Sequence, residues 1–254
     1  MQGYVCSNAY LRHVYKISRQ KRTGGWGESK NMSEIQKLEI FYVRHAQPDV
    51  GNDEGRGHND YCLSELGFKQ AELLGERLKD YEVDAVFSSP LLRCVCTAAC
   101  AVSKMKERPT IELLPEIIEK GTSVGYVGQS LNDLSRYYDK LTYCPDIVWG
   151  ESDRCFDSLG EQAALDRCWA IHLYLRKRFG FGKRILIIAH GSIGNSFLHS
   201  GVGILKEEDD QFCNTISHTS VSKYKYTSDG RERISFVNDI SHLRPLMPHY
   251  ELDV

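Results

Sequence analysis

A three-layer α/β fold, a mostly parallel sheet flanked by helices, is the architecture this sequence predicts. Two observations carry that reading. Leu38-Glu39-Ile40-Phe41-Tyr42-Val43 runs into Arg44-His45-Ala46, and Ile185-Leu186-Ile187-Ile188-Ala189 runs into His190-Gly191-Ser192. Short apolar runs rich in β-branched and aromatic residues, closed by turn-forming residues, read as strands buried on both faces of a parallel sheet. The rest of the body alternates strand-like and helix-like segments, as βα units do.

Taken in order, the polar loop from Ala46 to Cys62 follows the first strand. A helix is then predicted from Leu63-Ser64-Glu65-Leu66-Gly67, with Gln70, Ala71, Leu74 and Leu78 on successive turns and Ser64 as its N-cap. Asp84-Ala85-Val86-Phe87 reads as the second strand, and Pro90 is suited to opening the helix after it, which puts Arg93 in the first helical turn. Thr110 to Leu113 reads as a short third strand leading into Leu114-Pro115-Glu116. Residues 120–156, rich in Gly, Tyr and Trp and without a clean period, read as a lid-like excursion with one short helix near Leu131 to Leu141. A long helix is expected from Ser158, where Ser158 and Glu161 have capping-box spacing, with Ala164, Leu165, Cys168, Ile171, Leu175 and Phe179 on its apolar face. After the His190 strand comes a helix opened by Gly191 and Ser192, then a hairpin of Val221 to Tyr226 and Ile234 to Val237 turning at Asp229-Gly230.

Composition narrows the class. The chain of 254 residues, with 41% apolar and 26% charged residues, is long enough and apolar enough for one large core. A net charge of −2 without a basic stripe argues against a nucleic-acid surface. No apolar stretch approaches the roughly 20 residues that cross a bilayer, so no membrane role is expected. The nine cysteines are an odd count, and Cys94, Cys96 and Cys100 crowd one helix, so free thiols in a reducing cytoplasm are expected, with no metal site. Residues 1–31 carry Arg12, Lys16, Arg19, Lys21, Arg22 and Lys30 against the single acid Glu28 and read as a basic, mobile extension; the domain is expected over 32–254.

Ligands of open α/β sheets bind beyond the carboxyl ends of the strands. His45, His190 and Arg93 should therefore meet there although far apart in sequence, with Arg44 beside them. Two histidines and two arginines at one sheet edge make a site for a phosphoryl group.

These residues resemble the histidine phosphatase superfamily, the phosphoglycerate-mutase-like proteins. The matching segments are Val43-Arg44-His45-Ala46, Leu63-Ser64-Glu65-Leu66-Gly67 with Gln70-Ala71, Ser88-Ser89-Pro90-Leu91-Leu92-Arg93 with Thr97-Ala98, Leu114-Pro115-Glu116, Gly160-Glu161 with Arg167, and Ala189-His190-Gly191. They cover about residues 38 to 240 in the expected order. The resemblance implies a metal-independent phosphomonoester hydrolase, a histidine acid-type phosphatase without a cofactor, working through a phosphohistidine on His45. Arg44 and Arg93 would hold nonbridging oxygens. His190, most usefully when protonated, and the backbone around Gly191 would add donors. Glu116 would protonate the leaving group, with Glu119 as second choice.

Ala46 stands where the family more often has Gly, and Gln162 replaces a serine after Gly160-Glu161. The mutase branch's extended segment after its acid has no counterpart in Ile117-Ile118-Glu119-Lys120, which favours phosphatase over phosphomutase. A catalytically inactive binding module of the same fold is the reading from a different class; survival of Arg44, His45, Arg93 and His190 argues against it. The expected partner is a small phosphomonoester, and oligomeric state leaves no mark in the sequence. Gln47, Asn52 and His58 in the first loop, and Tyr126, Tyr137, Tyr138, Tyr143 and Trp149 in the excursion, are open between substrate contact and solvation or packing. The role of Asn238-Asp239-Ile240-Ser241-His242-Leu243 is not derivable from sequence.

Overall fold

Alternation along the strands sorts the apolar side chains into two layers. Phe41, Val43, Val86, Leu186 and Ile188 point to one face of the sheet, and Leu38, Ile40, Tyr42, Phe87, Ile185 and Ile187 to the other. Each face needs a cover of helices. The structure, a computed structural model, describes residues 35–51, 60–121, 128–145, 160–210 and 212–246. Within them run β1 (Lys37–Arg44), α1 (Glu65–Leu78), β2 (Ala85–Ser88), α2 (Leu92–Ser103), β3 (Ile111–Leu113), α3 (Leu131–Leu134), β4 (Leu141–Tyr143), α4 (Glu161–Phe179), β5 (Lys183–Ala189), α5 (Gly191–Gly201), β6 (Val221–Thr227) and β7 (Glu232–Asp239).

The described strands form one sheet in the order β4-β3-β2-β5-β1-β6-β7. β4, β3, β2, β5 and β1 are parallel, and the β6–β7 hairpin adds two antiparallel strands beside β1. Helices α1 and α2 cover the first face through Ala71, Leu74, Leu78, Val95 and Val102. Helices α4 and α5 cover the second through Ala164, Cys168, Ile171, Leu175, Ile193 and Phe197. Each fully buried Leu or Ile contributes about 1.5–3 kcal/mol, so the central strands are the most heavily anchored elements. Among the described residues no helix is long and apolar enough to cross a membrane.

Most predicted elements are present, and the departures have physical reasons. Pro90 does not open α2: the N-cap is Leu91, without a side-chain cap. Buried Asp60 supplies the missing acceptor from the preceding loop, its Oδ1 taking the Leu92 N–H at 2.7 Å. Arg93 still falls in the first turn. α4 starts at Glu161 after Gly160 (φ 99°), so the capping box of Ser158 and Glu161 is not its start; Ser158 itself lies outside the described residues. The Glu161 carboxylate instead accepts from Lys120 Nζ at 2.6 Å and Ser196 Oγ at 2.7 Å. In the excursion, Leu141–Tyr143 pairs with β3 as an edge strand, which the sequence did not reveal. Parts of that excursion (122–127 and 146–156), the extension over 1–31, and Asn52, His58, Tyr126 and Trp149 lie outside the described residues.

Candidate active site

Register brings the two predicted histidines level. Arg44 pairs with Ala189 across β1 and β5, and Ser88 with Ile188 across β2 and β5. One more rung on each side, His45 N to Ala189 O at 2.8 Å and Ser89 N to Ile188 O at 2.9 Å, carries the ladder past the strand ends. His45, His190 and Ser89 therefore share one edge. The His45 and His190 rings meet edge-on with centroids 5.1 Å apart, and both residues are buried.

The tautomer of His45 is set by its neighbour. Its Nδ1 lies 2.7 Å from the Ala46 carbonyl oxygen. A carbonyl only accepts, so Nδ1 carries the hydrogen and Nε2 keeps its lone pair. Arg93 Nε–H points at that lone pair from 3.3 Å. Helix α2 fixes both partners through Thr97, whose hydroxyl donates to the Arg93 carbonyl at 2.6 Å and accepts from the Ala46 N–H at 3.0 Å. Across the pocket, His190 Nε2 lies 2.8 Å from Ser89 Oγ, and Tyr42 Oη donates to the His190 carbonyl at 2.8 Å.

Arg44 is held by the Ile216 carbonyl, which accepts from Nη1 at 2.6 Å. Gly191 gives it room: a Cβ there would stand 3.3 Å from Arg44 Nε. Gly67 is required for a similar reason, since a Cβ would overlap the Gln47 carbonyl oxygen. Burial drives the pKa of both His45 and His190 well below the ordinary imidazole value, and the arginines reinforce the shift. His190 is thus neutral in this arrangement rather than protonated, and a phosphoryl dianion would have to supply the opposing field.

The carboxylates divide their roles. Glu116 is buried in the 3₁₀ turn Pro115–Ile117, on the carboxyl edge after β3. Glu119, the alternative acid, accepts from the N–H groups of Ser192 at 3.2 Å and Ile193 at 2.9 Å. It caps α5 and takes two of the donors expected around Gly191 for phosphate. Arg167, buried in α4, has its pKa lowered by burial, opposed by the carboxylates Glu119 and Glu116.

Several open alternatives resolve. Ser64 is the N-cap of α1, its Oγ accepting the Gly67 N–H at 3.0 Å and donating to Gln47 Oε1 at 2.8 Å, so both side chains are engaged in the loop. Tyr138 is core, with its hydroxyl on the Pro109 carbonyl at 2.6 Å, whereas Tyr137 and Tyr143 are partly exposed. Gln162 binds Asp166 and the Leu205 carbonyl. The described cysteines are free thiols: Cys94 contacts His190 and Cys96 contacts Cys62 at 3.7 Å between sulfurs. Among the described residues no three ligating side chains converge as a metal group.

One site residue escaped the sequence reading. His218 lies with its ring centroid 5.4 Å from that of His45, and burial, Arg44 and Arg93 push its pKa down to about 3. A lone histidine ahead of a hairpin strand gives no signal by itself. The ending Asn238 to Leu243 now has a role as well. Asn238 Oδ1 accepts the Ser217 N–H at 2.7 Å, His242 Nε2 meets Thr219 Oγ1 at 3.1 Å, and Asp239 pairs with Arg77 at 2.7 Å. Together they clamp the turn that carries His218.

This geometry agrees with a family match. The family model for the histidine phosphatase superfamily (branch 1) matches residues 40–240. The chain belongs to that superfamily. Among its relatives, a probable phosphatase of Schizosaccharomyces pombe is 37% identical over 82 residues, 32% of this chain and 34% of the relative. Phosphoserine phosphatase 1 of Hydrogenobacter thermophilus is 37% identical over 81 residues, 31% and 36% of the two chains. The matches span about a third of the length of these curated relatives. A solved phosphoglycerate mutase from Bacillus anthracis shares the fold, with TM-score 0.56 and 17% identity over 84% of this chain and 98% of that one.

Proposed function

We propose that this histidine phosphatase hydrolyses a small phosphomonoester through a phosphohistidine on His45. The observation that carries the reading is the tautomer: Nδ1–H is committed to the Ala46 carbonyl, and Nε2 offers its lone pair toward Arg93. A nucleophile that must attack phosphorus needs that lone pair, beside a cation that neutralises the phosphoryl oxygens.

In the proposed reaction Arg44 and Arg93 grip nonbridging oxygens, and His190 donates to another. His45 Nε2 attacks phosphorus in line. The P–N bond forms as the P–O ester bond breaks, and the leaving alkoxide takes a proton from Glu116. Water then attacks phosphorus. Glu116 accepts its proton, the P–N bond breaks, and inorganic phosphate leaves with Nε2 restored. Gly191 contributes by letting Arg44 lie close. The phosphatase names of the curated relatives support hydrolysis over transfer between substrate positions.

Hydrolysis of p-nitrophenyl phosphate in excess EDTA, wild type against His45→Ala, tests the reading. Turnover that survives chelation and disappears in the variant is expected. Turnover unchanged in His45→Ala contradicts the nucleophile assignment.

A further inference from the structure

His218 is not among the two histidines and two arginines that the family resemblance places at the phosphoryl site, yet the turn around it is tightly held. Thr219 is β-branched and sits at φ 55°, in the left-handed region that such residues avoid. That conformation is strained and persists only where the surroundings enforce it. The enforcing contacts tie the turn both to the pocket and to the hairpin. Thr219 N–H reaches the carbonyls of Arg44 at 3.0 Å and His45 at 3.4 Å, and its Oγ1 donates to the His218 carbonyl at 2.8 Å. The Ile216 carbonyl holds the Arg44 guanidinium, and Asn238, itself at φ 57°, holds Ser217. What this strained turn presents to the reacting centre is one imidazole, tilted 50° to the His45 ring.

The surroundings decide what that imidazole can do. The charges acting on it are Arg44 and Arg93, and both disfavour its protonation. A neutral imidazole still carries one N–H donor. Beside two guanidiniums, that N–H donor is placed to meet an anion.

We propose that His218 is a fifth ligand of the phosphoryl group, donating a ring N–H to a nonbridging oxygen while phosphorus moves to and from His45 Nε2. This rests on the reading of the pocket as a phosphoryl site. The phosphate therefore meets three imidazoles and two guanidiniums, with the third imidazole delivered by the β6 turn rather than by a parallel strand end.

Equilibrium binding of inorganic phosphate to the full chain, by isothermal titration calorimetry, tests this without requiring turnover. His218→Phe keeps the ring's bulk and loses the donor, while His218→Gln keeps a donor. A hydrogen bond to a charged oxygen corresponds to about 10- to 100-fold in affinity. His218→Phe and His218→Ala are expected to weaken phosphate by that factor, with His218→Gln tighter than Phe. Wild-type affinity in His218→Phe overturns the proposal and leaves the ring as packing for His45. Arg93→Ala separates the two claims. If it too binds phosphate normally, the phosphoryl-site reading falls; if it loses phosphate while His218→Phe does not, only the role of His218 falls. Should the variants fail to fold, imidazole ¹⁵N resonances of the unmutated chain are followed during phosphate titration. Three perturbed pocket rings support the proposal, and two overturn it.

Discussion

The carboxyl edge of the sheet is furnished by two kinds of backbone. Arg44, His45, Ser89 and His190 lie at or just beyond the ends of β1, β2 and β5, strands whose register continues one hydrogen-bonded rung into the site, and Arg93 joins them from the first turn of α2, the helix that follows β2. Glu116, Glu119 and His218 lie on connections, positioned by a 3₁₀ turn, a borrowed helix cap and a strained turn. The first half is placed by the core: move His45 and a ladder buried on both faces must shift. The second half is placed by a few side-chain hydrogen bonds, each worth about a kcal/mol. Groups placed by the core are on strand ends, and groups placed by local hydrogen bonds are on turns.

Arg93→Ala should strike the strand-end half hardest. Removing a cation poised over the developing charge is expected to lower kcat/KM by about 10²–10³-fold or more while leaving the melting temperature nearly unchanged. A loss under tenfold would deny the strand-end set its dominance. Glu116→Gln tests the turn half. For an alkyl phosphate, whose leaving group needs a proton, a fall of about 10²–10⁴-fold is expected. For p-nitrophenyl phosphate, which leaves as a stable anion, the fall should be far smaller; equal losses on both substrates would remove Glu116 from the acid role.

The same division governs what the sequence disclosed. The runs 38–43 and 185–189 carry their own period and end on histidines, so strand, burial and site position could be read together, and His45, His190 and Arg93 meet where expected. Leu141-Thr142-Tyr143 is too short, and too much an edge, to leave a period, so β4 was hidden inside the excursion. Glu119 was the second choice of acid from its spacing of three residues after Glu116, and that spacing does not record the helix N-terminus it faces. His218 was invisible because its placement comes from Thr219, Asn238 and His242, contacts that span the hairpin and follow no spacing rule.

Buried neutral histidines make the fold acid-sensitive. His172 packs against Phe197 with its ring nitrogen on the Phe197 carbonyl, and burial lowers its pKa to about 4. Its unfolded value is near 6.5, so the unfolded chain binds more protons between the two. The stability is fully present above about pH 6.5 and is lost as pH falls toward 4, by up to about 3 kcal/mol for this group. Urea melts at pH 7 and 4.5 should show the decline, and His172→Gln should flatten it; an unchanged slope in that variant would assign the acid sensitivity elsewhere.

The smallest effect sharpens the turn half. Asn238→Ala removes the acceptor for the Ser217 N–H and places a less tolerant residue at φ 57°. Stability should drop by about 1–2 kcal/mol. KM should rise more than kcat falls, because the turn carrying His218 loosens while β1 and β5 stay in register. A kcat defect with KM intact would contradict that division.

The central claim is a covalent bond between phosphorus and His45 Nε2. Rapid mixing with a ³²P-labelled phosphomonoester, quenched in alkali within the first turnover, tests it directly. The account predicts label on His45 that survives base, is released by acid and is absent from His45→Ala. Acid-stable label, or label retained in His45→Ala, would contradict it.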